Sequence, residues 1–122
     1  MLDAGALVAF EKGDRTVRAF LEHAQRTGVD VRTTTSVVAQ VWRDGAPQAR
    51  LAVLLRGVLE IELTREECRR VGSLLGRCGS RDVPDASVVA AAVDGDEILT
   101  SDPHDIRMLA ESSGKNLIIT PI

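Results

Sequence analysis

Two hydrophobic patterns alternate along the 122 residues. Short, mostly apolar runs are separated by longer stretches in which apolar residues recur every three or four positions. The first pattern is that of a buried strand and the second that of an amphipathic helix. "MLDA" opens as a stub of strand, and "GALVAFEKG" follows as a short helix closed by Gly13. "DRTVRAFLEHAQRTG" sets Val17, Phe20, Leu21 and Ala24 on one helical face, with Asp14 as N-cap and Gly28 just past the end. "VDVRTTT" is β-branched and extended. "SVVAQVWRDG" predicts another helix, and a further one runs from Pro47 through "QARLAVLLRG".

"VLEIEL" alternates as a strand. "TREECRRVGSLLGRCG" begins with Thr64 and Glu67 in a capping-box arrangement. "VPDASVVAAAVDG" is a helix of small residues opened by Pro84, a residue favoured at the first helical position. "EILTS", "DPHDIRMLAESSG" and "NLIITPI" complete the chain as strand, helix and strand. Alternation of this kind predicts an α/β fold, with a mainly parallel sheet and helices on both faces. No repeat, linker or low-complexity tract interrupts it, so residues 1–122 are read as one domain. Only Met1 and Leu2 precede Asp3, against about five residues for an average strand, so the first strand is read as either truncated or unusually short.

In open α/β sheets ligands gather outside the carboxyl ends of the strands. By this rule Asp3 and Asp102, which end two of the predicted strands, project at the same edge of the sheet. Asp105 follows Asp102 by three residues and Asp85 follows Asp82 by three, so each pair can face one way from the start of a helix. Each also has a purely structural reading. Asp102 before Pro103 is a favoured N-cap, Asp82 a loop or cap residue, and Asp85 and Asp105 suit the positive end of a helix dipole. A cap and a metal ligand are compatible roles for one carboxylate. Carboxylates converging on one edge repel unless a cation sits among them. Hard ions such as Mg²⁺ or Mn²⁺ take oxygen ligands of this kind.

Composition narrows the choice of chemistry. The aromatics are only Phe10, Phe20 and Trp42, so the core must be aliphatic and base-stacking platforms are not expected. The net charge of −3 shows no basic excess. Lys12 and Lys115 are the only lysines; the remaining positive residues are arginines, which are read mostly as solvated helix faces. A local arginine patch would still suit phosphate or carboxylate. Cys68 and Cys78 lack a CxxC pattern, and with two histidines a zinc site is not expected; both thiols are read as buried or half-buried. His104 is read as solvent-facing. No signal peptide and no run of about 20 apolar residues is present, which predicts a soluble, cytoplasmic protein without a membrane partner. Phosphotransfer sites fit poorly: Gly5 stands where a second aspartate would follow Asp3, Lys115 precedes the last strand, and no phosphate loop or GxSxG elbow occurs.

The ordered set "LDAGALVAF", "TTSVVAQVWRDG", "DVPDASVVAAAV" and "ILTSDPHDIRML" resembles the PIN-domain family, in particular VapC-like toxin ribonucleases of type II toxin–antitoxin systems. The resemblance spans essentially the whole chain. It implies a three-layer α/β/α sandwich around a central, mainly parallel sheet of about five strands. It implies a Mg²⁺- or Mn²⁺-dependent endoribonuclease, in which the ion directs water onto a phosphodiester of single-stranded or structured RNA. Asp3, Asp85 and Asp102 match the catalytic, metal-holding aspartates, and Asp105 the accessory acid beside them. A homodimer neutralised by a small antitoxin protein is the implied assembly. The chain departs from the family at Gln40, where a glutamate is usual. Gln40, Asp44 and Asp82 are the possible accessory residues, Asp44 on the expectation that it lies one helical turn beyond Gln40. Trp42 and Arg43 are candidate contacts to RNA or a partner, or else packing and solvated surface. The departure at Gln40 also supports an alternative: a weakened or inactive PIN domain that binds RNA or protein without cutting.

Overall fold

A computed structural model describes residues 1–122. The strands are β1 (Arg32–Thr34), β2 (Leu59–Ile61), β3 (Glu97–Thr100) and β4 (Ile118–Pro121). The helices are α1 (Ala4–Glu11), α2 (Arg15–Thr27), α3 (Thr35–Val41), α4 (Ala49–Leu55), α5 (Arg65–Cys78), α6 (Val83–Ala91) and α7 (Pro103–Ser113). A 3₁₀ turn, Ala46–Gln48, precedes α4. The α/β class read from the alternating pattern is the class observed. No helix is long and apolar enough to cross a membrane.

Helix boundaries follow the capping chemistry. Asp14 accepts a hydrogen bond from Val17 N at the start of α2, and Thr64 accepts one from Glu67 N at the start of α5. Both helices end at a glycine in the left-handed conformation, Gly28 and Gly79, where a side chain would be strained. Helix α6 begins one residue earlier than expected, at Val83, because Asp82 caps it and Pro84 takes the second helical position.

The strands pair in parallel as β1–β2 and β3–β4, two sheets of two strands each. Between them lies the Met1–Asp3 stub. Leu2 N donates to Arg32 O at 2.8 Å, and on the other side Leu99 N donates to Met1 O at 3.0 Å. Thr33 Oγ1 adds a bond to Leu2 O at 2.8 Å. The stub registers as a single bridge, Leu2 with Leu99, and not as a strand. The physical reason is length: Asp3 already caps α1, which leaves too few extended residues for a ladder.

Three local expectations are corrected. The helix expected to continue to Gly45 ends at Val41, and Trp42 is extended. Asp44 lies outside it with φ of 56°, a left-handed turn conformation that Asp tolerates, so its helical spacing from Gln40 does not exist. The strand expected over Val58–Leu63 shrinks to three residues without alternating burial. Cys68 is exposed, because it lies on the polar face of α5, while Cys78 is half-buried as expected.

The core is aliphatic: 17 buried residues form one cluster, with Leu2, Leu7, Leu51, Ile98, Ile106 and Leu109 among its fully buried side chains. Helix α6 is its central element, buried continuously from Asp85 to Val89. Its C-terminal carbonyls are held by one side chain. Lys115 Nζ donates to Val89 O at 2.9 Å and to Ala90 O and Ala92 O at 2.7 Å each. Burial lowers the pKa of that amine from its ordinary value.

Candidate functional site

Four helices begin with an aspartate as N-cap, and three of them, α1, α6 and α7, carry the candidate acids. Asp3 Oδ1 accepts from Ala6 N at 2.7 Å, Asp82 Oδ1 from Asp85 N at 3.0 Å, and Asp102 Oδ1 from Asp105 N at 3.4 Å. The D-x-x-D spacing therefore repeats in α6 and α7, with the first acid capping the backbone of the second. At α6 and α7 the cap engages one carboxylate oxygen and leaves the other available, whereas Asp3 also takes bonds from Thr100 and Ser101. The three positive helix ends favour negative charge nearby.

Burial divides the acids. Asp3 is 2% and Asp85 8% exposed, whereas Asp82, Asp102 and Asp105 are exposed. Desolvation raises the pKa of Asp3; the Thr100 hydroxyl and the N–H groups of Ala6 and Ser101 oppose that rise, and the charge of Asp102 adds to it. Asp85 has no such relief. Burial, followed by the charges of Asp82, Asp3, Asp102 and Asp105, pushes it up to about 7. Its backbone is capped by Asp82, but its carboxylate accepts none of the protein's hydrogen bonds and relies on the water that reaches it. These five acids are the sequence-predicted residues that the fold brings together.

Sequence reasoning missed the hydroxyls that position them. Thr100, fully buried at the end of β3, turns its hydroxyl to Asp3, while its Oγ1 accepts from Asp102 N at 2.9 Å. One side chain thus ties two of the acids. The signal was a polar residue closing the short strand "EIL". A second chain of bonds joins α3 to α6: Val37 N–H to Thr34 Oγ1 at 3.3 Å, the Thr34 hydroxyl to Ser87 Oγ at 2.6 Å, and the Ser87 hydroxyl to Pro84 O at 2.6 Å. Gly5 allows the start of α1 to lie against Ser101.

The remaining candidates lie on α3 and in the loop that follows it. Gln40 is exposed on α3, and Asp44 is exposed in the loop that follows. Trp42 is 36% exposed. The Arg43 guanidinium folds back onto Trp42 O at 2.7 Å. Gln48, buried and unremarked in the sequence, clamps this loop: its Oε1 accepts from Arg43 N at 2.7 Å and its Nε2 donates to Val41 O at 2.8 Å. His104 is exposed, as read. No group of three His, Cys, Asp or Glu side chains is arranged to hold a metal ion. Neither the protein-family models nor the curated proteins searched provide a match to this chain.

Proposed function

We propose that this chain is a metal-dependent endoribonuclease of the PIN type, the VapC-like toxin of a toxin–antitoxin pair, hydrolysing phosphodiester bonds of single-stranded or structured RNA. The observation that carries the reading is Asp85: it is only 8% exposed, its carboxylate takes no hydrogen bond from the protein, and burial, followed by the charges of Asp82, Asp3, Asp102 and Asp105, pushes it up to about 7. A carboxylate perturbed this far by burial and by neighbouring acids is a candidate functional group. A purely structural acid in that position would be expected to find an arginine or a helix N–H.

The donor set fits a hard dication. All five acids offer oxygen, and Asp82 and Asp102 each retain an oxygen that the cap does not use. Asp3, Asp85, Asp102 and Asp105 would hold Mg²⁺ or Mn²⁺, with Asp82 accessory. When bound, the ion supplies a water of lowered pKa and neutralises charge developing on the phosphate. The chain's own contribution is position. Thr100 aims Asp3, the caps fix the backbones of Asp85 and Asp105, and the Thr34–Ser87 pair sets α3 against α6.

This reading implies a three-layer α/β/α sandwich with one central sheet in the order β2, β1, Met1–Asp3, β3, β4. The backbone bonds on both sides of the stub support that order. It also implies a cytoplasmic homodimer and a small antitoxin partner. The test is cleavage of single-stranded RNA with Mg²⁺ or Mn²⁺. EDTA and Asp3→Asn are each expected to reduce the rate by at least about 100-fold. A rate unchanged by both treatments overturns the mechanism.

Gln40 favours a second reading, a PIN domain that binds RNA or protein without cutting. It brings no charge where the family usually has a glutamate, and Asp44 lies outside the helix that would have let it substitute. Under the nuclease reading, Gln40→Glu is expected to tighten Mn²⁺ binding and raise cleavage about tenfold, a typical size for a group that tunes a metal site. No cleavage by either form, with RNA binding intact, would establish the second reading.

A further inference from the structure

A groove of about 460 Å³ runs along α5 and past the C-terminal ends of α6 and α7. Four basic side chains line it: Arg69, Arg70 and Arg77 of α5, and Lys115. Two of them are committed. Arg70 pairs with Glu66 and Glu67 at 3.0 Å each, and Lys115 Nζ is bound to the carbonyls at the end of α6. Arg69 and Arg77 have no ion pair in the protein, although the chain carries a net charge of −3. They lie eight residues apart on one helix, about 12 Å along its axis. The Arg77 end of α5 is joined only by Gly79–Asp82 to the start of α6, which carries Asp82 and Asp85.

We propose that this groove holds the phosphodiester backbone of single-stranded RNA and leads it to the acidic edge; the identity of the polyanion rests on the nuclease reading above. Guanidinium groups form bidentate bonds to phosphate. Of the groove's nine lining residues only two are hydrophobic, Leu74 and Ala90. A protein partner would need apolar anchors that this surface does not offer. No aromatic ring lines it, so the grip is on the backbone and not on stacked bases.

The test measures binding of a fluorescently labelled 12-nucleotide oligouridine to the full chain in EDTA, across a range of salt concentrations. Arg69→Gln/Arg77→Gln alters two exposed side chains and is expected to fold as the wild type does. Each phosphate contact on a single strand contributes about 0.7 to the log–log salt slope, so the double variant is expected to lower the slope by about 1.4. At 0.1 M salt this corresponds to binding weaker by about 25-fold. An unchanged slope and affinity, or no binding by the wild type, overturns the proposal. Displacement of the RNA by polyglutamate at equal charge concentration also overturns it, in favour of an acidic protein partner. Hydrolysis of bis(p-nitrophenyl) phosphate with Mn²⁺, expected to be equal in wild type and variant, reads the acidic edge separately. If that hydrolysis is absent while the arginine-dependent binding persists, the nuclease reading fails and the groove stands.

Discussion

Asp85→Asn is expected to make the metal-free protein more stable at pH 8 while removing its activity. The carboxyl of Asp85 ionises near 7 in the folded chain against an ordinary value of 3.8, so the folded state holds its proton more tightly than the unfolded state does. For an acid shifted upward, the penalty is absent below the unfolded value, grows as the pH rises between the two, and is complete above about 7. Three units at 1.36 kcal/mol each set an upper limit of about 4 kcal/mol. Water reaching the carboxylate lowers this, and about 2–3 kcal/mol is the expected gain on substitution. Asparagine sacrifices little, because the carboxylate accepts no hydrogen bond from the protein and Asp82 still caps the unchanged backbone N–H.

The measurement is the urea midpoint of both proteins in EDTA between pH 4 and pH 8. The variant should exceed the wild type at pH 8, and the gap should close as the pH falls toward 4. Asp3 shifts in the same direction through burial, so the wild type should itself lose stability with rising pH over this range. Asp102 makes the useful contrast. It is exposed, and asparagine caps a helix as well as aspartate does. Asp102→Asn should therefore leave stability within about 0.5 kcal/mol while still weakening cleavage. Equal midpoints for Asp85→Asn and wild type at pH 8 would show that neither burial nor the neighbouring acids penalise the Asp85 charge.

The grouping of acids is the part of the site that sequence could announce. Asp14, Thr64 and Asp102 were legible as caps because N-cap chemistry acts within three residues, a range that a sequence displays directly. Asp3, Asp85, Asp102 and Asp105 were legible through their position at predicted strand ends and helix starts, and Asp82 through its spacing from Asp85. What stayed hidden depends on contacts distant in sequence or on small differences in length. Thr100 reads as one more β-branched strand residue until Asp3, nearly a hundred positions away, is placed beside it. Gln48 reads as a surface amide, yet it is buried because it satisfies Val41 O and Arg43 N where α3 stops. The early end of α3 was illegible because "VVAQVW" has no helix breaker; the loop's own hydrogen bonds decide it. The length of β2 was misjudged because alternation in "VLEIEL" is the same whether a strand has a partner on one side or two.

Gly5→Ala is expected to disable the site through sterics alone, and Ser101→Gly is expected to restore it. A Cβ on Gly5 would overlap Ser101 Oγ and stand 2.7 Å from Ser101 Cβ and 3.2 Å from Ser101 N. Turning the Ser101 side chain can relieve the hydroxyl but not the Cβ, so the α1 start and the β3–α7 turn must separate. Overpacking of this kind costs about 1–3 kcal/mol. Alanine returns up to about 1 kcal/mol through its better helix propensity, which leaves a net loss of about 1–2 kcal/mol. Activity should fall further than stability does, because the separation acts on Asp3, which takes hydrogen bonds from Thr100 and from Ser101 N–H. Glycine at position 101 removes both side-chain atoms that clash and leaves only the 3.2 Å approach to nitrogen, which a shift of a few tenths of an ångström relieves. A double-mutant cycle on urea midpoints should therefore show a favourable coupling of about 1–2 kcal/mol between the two substitutions. Additive effects would mean that the two segments do not depend on their close approach, and that Asp3 is positioned by its hydrogen bonds alone.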